Sequence, residues 1–140
     1  VNNQGASMFL RVSVARLGSQ MANYKVKSLR LPGYDGDLGF MAKRLPIMGI
    51  FQAGLIHART LDDKQHVFAT TGGFFEMVDN RLTLIFDAFY TVRDLEDYTP
   101  DPQNPSFGLY KVDAGKLSAE EKKNYVLSML RNEIGDNNVL

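Results

Sequence analysis

Residues 33–40 read GYDGDLGF, with Gly33, Gly36 and Gly39 at even spacing and Asp35 and Asp37 between them. Such a stretch can cradle a phosphate, hold a calcium ion or reverse the chain tightly. A phosphate loop must end in Gly-Lys-Ser/Thr and open a helix, so that amides and lysine converge on the phosphate oxygens. Here the run continues as DLGFMAKRLP, with no helix start and no hydroxyl after Lys43. The dinucleotide spacing GxGxxG is also absent. Counted as an EF-hand loop from Asp35, the stretch puts Gly39 at the fifth position and Pro46 where the bidentate glutamate belongs. What remains is geometry: glycines let the chain reverse and present Tyr34, Asp35 and Asp37 outward. Composition leaves open whether that is only a turn or a contact surface.

Working outward from the turn, the first ninety residues read as short strands. FLRVSV (9–14) alternates, with Leu10, Val12 and Val14 inward and Arg11 and Ser13 outward. In YKVKSLRL (24–31), Tyr24 and Val26 face inward, then the parity switches so that Leu29 and Leu31 do, as a β-bulge between Lys27 and Leu29 would produce. PIMGIF, LIHAR (55–59), HVFATT (66–71), FFEMV (74–78) and LTLIFDAFY (82–90) follow, separated by Gly/Asp/Asn turns. This spacing predicts an antiparallel sandwich or barrel. The aromatic residues Phe74, Phe75, Phe86, Phe89 and Tyr90 are expected in its core.

The remainder of the chain differs in kind. Residues 1–93 hold eleven Lys/Arg against seven Asp/Glu, a net of +4, and residues 94–140 hold five against nine, a net of −4. DYTPDPQNPS carries Pro100, Pro102 and Pro105, through which neither a helix nor a central strand can run. Residues 94–117 therefore read as a connecting segment between a domain at 8–93 and one helix at 118–135. Ser118 and Glu121 make a capping box, and Tyr125, Val126, Met129, Leu130 and Ile134 form an apolar stripe ended by Gly135. A lone helix of that length is marginal, so its stripe, chiefly Tyr125, Val126, Met129 and Leu130, must dock on the domain or on a partner.

Composition removes several function classes. A body of net +4 is too weakly basic to argue for nucleic acid, and no apolar run is long enough for a membrane span. With no cysteine among the 140 residues, disulfide and thiolate chemistry are absent. VNNQGASMFLRVS lacks the basic and apolar regions of a secretory signal, and Met8 reads as the natural initiator. His57 and His66 can face each other across a hairpin but lack a third ligand, so no metal site is expected. No serine occupies a nucleophile elbow. No catalytic residue and no cofactor are expected.

Taken in order, these residues resemble the epsilon subunit of F-type ATP synthases, called delta in mitochondria. The resemblance rests on Val12, Val14, Leu31-Pro32-Gly33, Gly36-Asp37-Leu38-Gly39, Pro46, Gly54, Gly72-Gly73-Phe74-Phe75-Glu76-Met77 and Leu84-Ile85-Phe86-Asp87, at nearly constant spacing from residue 9 to 92. It implies a mainly β protein, an antiparallel flattened β-sandwich of about ten strands with a reduced helical C-terminal tail. It further implies a non-catalytic rotor subunit that clamps the gamma shaft to the ring of c subunits, coupling proton flow to ATP synthesis. The location implied is peripheral, on the cytoplasmic face of a bacterial inner membrane or the matrix face of a mitochondrial one, without membrane insertion. Tyr34, Asp35, Asp37, Lys43 and Arg44 are the ring-facing residues on this resemblance, and the tail is the route to the catalytic alpha/beta head.

This sequence departs from the family in three places. Met41-Ala42-Lys43-Arg44-Leu45 stands where relatives have Pro-Gly-His. Leu95-Glu96-Asp97-Tyr98-Thr99-Pro100 lacks the arginine of the relatives' ATP motif. The tail is acidic and interrupted by proline, so inhibition of ATP hydrolysis through it is expected to be weak or altered. The alternative reading is a regulatory, nucleotide-sensing β-sandwich module; a small lectin or enzyme would need a polar cleft of convergent residues.

Overall fold

The longest extended segment, β2 (Ala22–Gly33), changes which of its residues point inward part-way along. Val26 is buried before the change, and Leu29 and Leu31 after it. The register against β5 (Gly54–Thr60) slips between Val26 and Ser28, so the expected bulge falls at Lys27. An inserted residue bends a strand and increases its twist. Before the bulge, β2 pairs with β1 (Leu10–Arg16); beyond it, the same edge pairs with β3 (Gly36–Met41), while β5 runs along the opposite edge. One bent strand thereby belongs to two layers.

The computed structural model describes residues 9–16, 22–97 and 116–134. Besides β1, β2, β3 and β5 it contains β4 (Ile47–Phe51), β6 (Gln65–Thr70), β7 (Gly73–Val78), β8 (Arg81–Phe86), β9 (Phe89–Tyr90), a 3-10 turn (Val92–Asp97) and the helix α1 (Ala119–Ile134). The strand order is β4-β7-β8-β1-β2-β5-β6-β9, with β3 beside β2. All pairings are antiparallel except β1 with β8, which the long separation of the two strands in sequence permits. The sheet folds back on itself: Phe40 of β3 meets Phe75 of β7 edge-on at 5.3 Å, and Phe86 of β8 stacks on Phe89 of β9 at 5.1 Å, although neither pair of strands is hydrogen-bonded. The result is the expected flattened sandwich, with nine strands among the described residues. Residues 98–115, most of the expected connecting segment, lie outside the described residues, as do residues 1–8.

Between the layers Leu10, Val12, Leu29, Leu31, Phe40, Ile56, Phe75, Met77, Leu82, Leu84 and Phe86 are buried together. Burial of this order supplies most of the folding free energy. Several expectations fail locally. LTLIFDAFY is not one strand: the chain turns at Asp87–Ala88, with the Asp87 amide donating to the Gly72 carbonyl and the Thr71 amide to the Ala88 carbonyl, and crosses to the other layer. Ser13 does point outward but is covered by Asn23, whose Oδ1 accepts from its hydroxyl at 2.7 Å. Tyr24 is 54% exposed because it stands at the open end of the sandwich, at the rim of an apolar cavity of about 240 Å3. Phe74 is not in the core; it lies on the outer face of β7, while Phe75 and Met77 fill the inner one.

The edge contact between Phe40 and Phe75 ties the layers together where the bend of β2 would otherwise let them part. Phe40→Ala is expected to lower the unfolding free energy by about 3–5 kcal/mol, since the cavity it leaves is enclosed. Denaturant titration measures this directly, and a loss below ~1 kcal/mol would show that the layers do not depend on that contact.

Candidate functional site

GYDGDLGF is a tight hairpin and not an extended loop. Tyr34 and Asp35 make the turn between β2 and β3, and Gly36 to Phe40 already belong to β3. Gly36 adopts φ +116, which side-chain-bearing residues avoid, and a Cβ at Gly33 would lie 2.4 Å from the Gly36 carbonyl oxygen. Gly39 has no such need, with open space where its Cβ would be.

The five residues predicted to contact a ring are therefore spread along a strand. Tyr34 and Asp35 are exposed at the turn, and Asp37 is exposed on β3, where its carboxylate lies 4.0 Å from Arg30. Lys43 and Arg44 occupy the turn after β3, a strand length of about 17 Å away. Lys43 takes φ 68, with its amide held by the Asn80 side-chain oxygen. Arg44 folds back, donating Nη1 to the Gly39 carbonyl at 2.9 Å with its guanidinium 5.0 Å from the Phe40 ring centre. The hairpin tip and the Lys43–Arg44 turn are two rims, not one loop.

A second surface was not singled out in the sequence. On the outer face of the β4-β7-β8 layer, Ile50 sits opposite Phe74 and Phe74 opposite Ile85. These three are 60%, 37% and 43% exposed, and Met48 and Val78 extend the same face. Strand alternation was the available signal: FFEMV and LTLIF each place apolar residues on both faces, which a sheet with one solvated face does not require.

The C-terminal stripe docks on the chain's own sandwich. Val126 and Leu130 are fully buried against Ala53 and Ala69, with Leu55, Val67, Tyr90, Leu95 and Tyr125 around them. Leu127 and Ser128 are buried too, so the buried face is wider than the stripe, while Met129 and Ile134 are only half-buried. Near its end, Glu133 accepts from His57 Nε2 at 3.1 Å. The two histidines do not face each other. His66 pairs across the hairpin with Ala58, placing it on the opposite face from His57, and it stacks on Phe68. Among the described residues no group of three or more His, Cys, Asp or Glu could hold a metal, and no helix is long and apolar enough to cross a membrane.

A model of the family described as "ATP synthase, Delta/Epsilon chain, beta-sandwich domain" matches residues 10–92, which include every strand of the sandwich. The chain belongs to this family. The family is one of non-catalytic stalk subunits. Over 92 residues the chain is 27% identical to the ATP synthase epsilon chain of Helicobacter pylori, an overlap of 66% of this chain and 74% of that one. It is 28% identical over 91 residues to the epsilon chain of Mesorhizobium japonicum, where the overlap is 65% of each chain, just under two thirds of that protein's length. A chain in the cryo-EM structure of Euglena gracilis mitochondrial ATP synthase (OSCP/F1/c-ring) has the same fold, with TM-score 0.65 at 12% identity over 92% of this chain and 82% of that one. One in the central stalk/c-ring of Tetrahymena thermophila mitochondrial ATP synthase aligns with TM-score 0.58 at 16% identity, over 88% and 95% of the two chains.

The helix start yields a pH prediction. The Ser118 amide donates to Glu121 Oε1 at 3.0 Å, and the Glu121 amide donates to Ser118 Oγ at 3.2 Å, completing the predicted capping box. Those bonds from Ser118, its backbone amide first, hold the Glu121 carboxyl below its ordinary value of 4.5. A depressed folded-state pKa means the cap is intact above the ordinary value and is lost as pH falls through the lowered one. Far-UV circular dichroism should show helical signal declining below about pH 4.5, with Glu121→Gln removing that step. A step of the same size in the variant would contradict this.

Proposed function

We propose that the chain is the central-stalk subunit of a proton-translocating F-type ATP synthase, seated between the gamma shaft and the ring of c subunits and itself making no bonds. The observation that carries this reading is the apolar row Ile50–Phe74–Ile85 on an outer sheet face. A contiguous apolar patch left in water marks a surface meant for a protein partner. Aromatic and aliphatic anchors at the centre of such a patch carry most of the association energy. The gamma subunit is the partner assigned to this row, and family membership supports that assignment.

The ring-facing role belongs to the two polar rims, Tyr34, Asp35 and Asp37 at one and Lys43 and Arg44 at the other. Charged groups on a rim set register and approach more than affinity, which suits contact with polar loops that must pass torque. The subunit is peripheral in this reading, on the cytoplasmic face of a bacterial inner membrane or the matrix face of a mitochondrial one.

The docked α1 bears on regulation. To reach the catalytic head, the helix must first expose Val126 and Leu130, each costing about 1.5–3 kcal/mol of lost burial. Together with the acidic tail, this supports weak or altered inhibition of ATP hydrolysis.

Phe74→Glu combined with Ile85→Lys alters only outward-facing positions, so the isolated chain is expected to keep its melting temperature within a few degrees. The same pair of changes is expected to abolish recovery of gamma and c subunits when the tagged chain is pulled from detergent-solubilised membranes. Recovery equal to that with the unaltered chain would overturn the assignment of the apolar row.

A further inference from the structure

The outer face of the other layer carries a surface of opposite character. Arg30 on β2, His57 and Arg59 on β5, and Gln65 on β6 line an open groove of about 540 Å3, with Lys43 and Arg44 also in its lining. Among the described residues no carboxylate contributes to its lining.

Arg44 is braced by the Gly39 carbonyl, and Arg59 donates Nη1 to the Asp63 carbonyl at 3.3 Å. Both braces are neutral carbonyl oxygens, so they hold the guanidinium groups without cancelling the charge. The two acids nearest Arg59 in sequence are engaged elsewhere: Asp62 accepts from the Thr60 hydroxyl and lies 3.7 Å from Lys64, and Asp63 is held by Lys27 at 2.9 Å. Among the described residues no carboxylate lies within 4.0 Å of the charged ends of Lys43, Arg44 or Arg59, and Arg30 has only Asp37 at 4.0 Å. Surfaces ordinarily intersperse charges of both signs, and like charges gathered in one concavity repel until an anion enters. At the rim, His57 Nε2 already binds the Glu133 carboxylate, while its buried Nδ1 has no partner among the described residues.

We propose that this groove is a binding site for a small multivalent phosphate anion of the pyrophosphate class. Fixed guanidinium forks match pairs of phosphate oxygens, which a point charge does not do. The Lys43 ammonium supplies the additional positive charge that a polyanion requires. The site lies on a different face from the apolar row, and it can be tested on the isolated chain without any synthase subunit.

Calorimetric titration of the 140-residue chain with sodium pyrophosphate at low salt is expected to show saturable one-to-one binding with Kd below about 1 mM. Affinity should fall with added salt. It should drop at least about fivefold in Arg30→Gln and in Arg59→Gln, less in Arg59→Lys, and not at all in Arg93→Gln, whose side chain lies elsewhere. Circular dichroism verifies that each variant is folded. Vesicles of phosphatidylglycerol in phosphatidylcholine separate the two sources of such a group: binding that pyrophosphate displaces keeps the site and assigns it a lipid phosphate. No saturable pyrophosphate binding, equal affinity in the arginine variants, or vesicle binding that pyrophosphate leaves untouched would each overturn the proposal.

Discussion

A strand of twelve residues that stays flat can serve only one sheet. The bulge at Lys27 bends β2 so that its first half hydrogen-bonds to β1 and its second half to β3, and the two layers share a continuous backbone ladder. Everything between the layers follows from that bend. Leu10, Val12 and Val26 pack before it, Leu29, Leu31 and Phe40 after it, and the Phe40–Phe75 contact closes the gap. The shared cluster of buried side chains stiffens such a body, because packed interiors transmit displacement instead of absorbing it. In the proposed rotor role, that property matters more than a pocket.

The two outer faces then divide the surface by chemistry. One presents Ile50, Phe74 and Ile85 in a row across three strands. The other is partly covered by α1 and elsewhere turns out arginine and histidine. The helix and the apolar row occupy different faces, so docking of the tail and docking of a partner on the row do not compete. In the proposed role, the grip on the shaft does not depend on whether the tail is docked.

Much of this was legible in the sequence, and the parts that were not share a cause. Period-two alternation located most strands within a residue or two, although it missed β3 and ran β8 and β9 together, and the parity switch in YKVKSLRL located the bulge. The capping pair Ser118–Glu121 was visible because it is local. Alternation also fixes which residues share a face, but it does not say what covers that face. Phe74 read as core because aromatic residues are usually buried, and its outward position depends on β7 lying with its second face in solvent. His57 and His66 read as a pair because they sit on consecutive strands; the register Ala58 to His66 separates them by one position, which is a tertiary quantity. The stretch 33–40 read as a loop because glycine permits turns, whereas two turn residues suffice and the rest continue as β3. The stripe of α1 was visible but its seat was not, since Ala53 and Ala69 are small residues on separate strands that become a socket only when β5 and β6 pair.

In the proposed assembly the row across β4, β7 and β8 is seated on the shaft. The most direct measurement places a photo-reactive amino acid at position 74 and, separately, at the exposed Leu61, followed by irradiation of native membranes and mass spectrometry of the products. Position 74 is expected to cross-link to the gamma subunit, and position 61 is not. Cross-links from position 74 to no synthase subunit, or equal yields from the two positions, would contradict that seating.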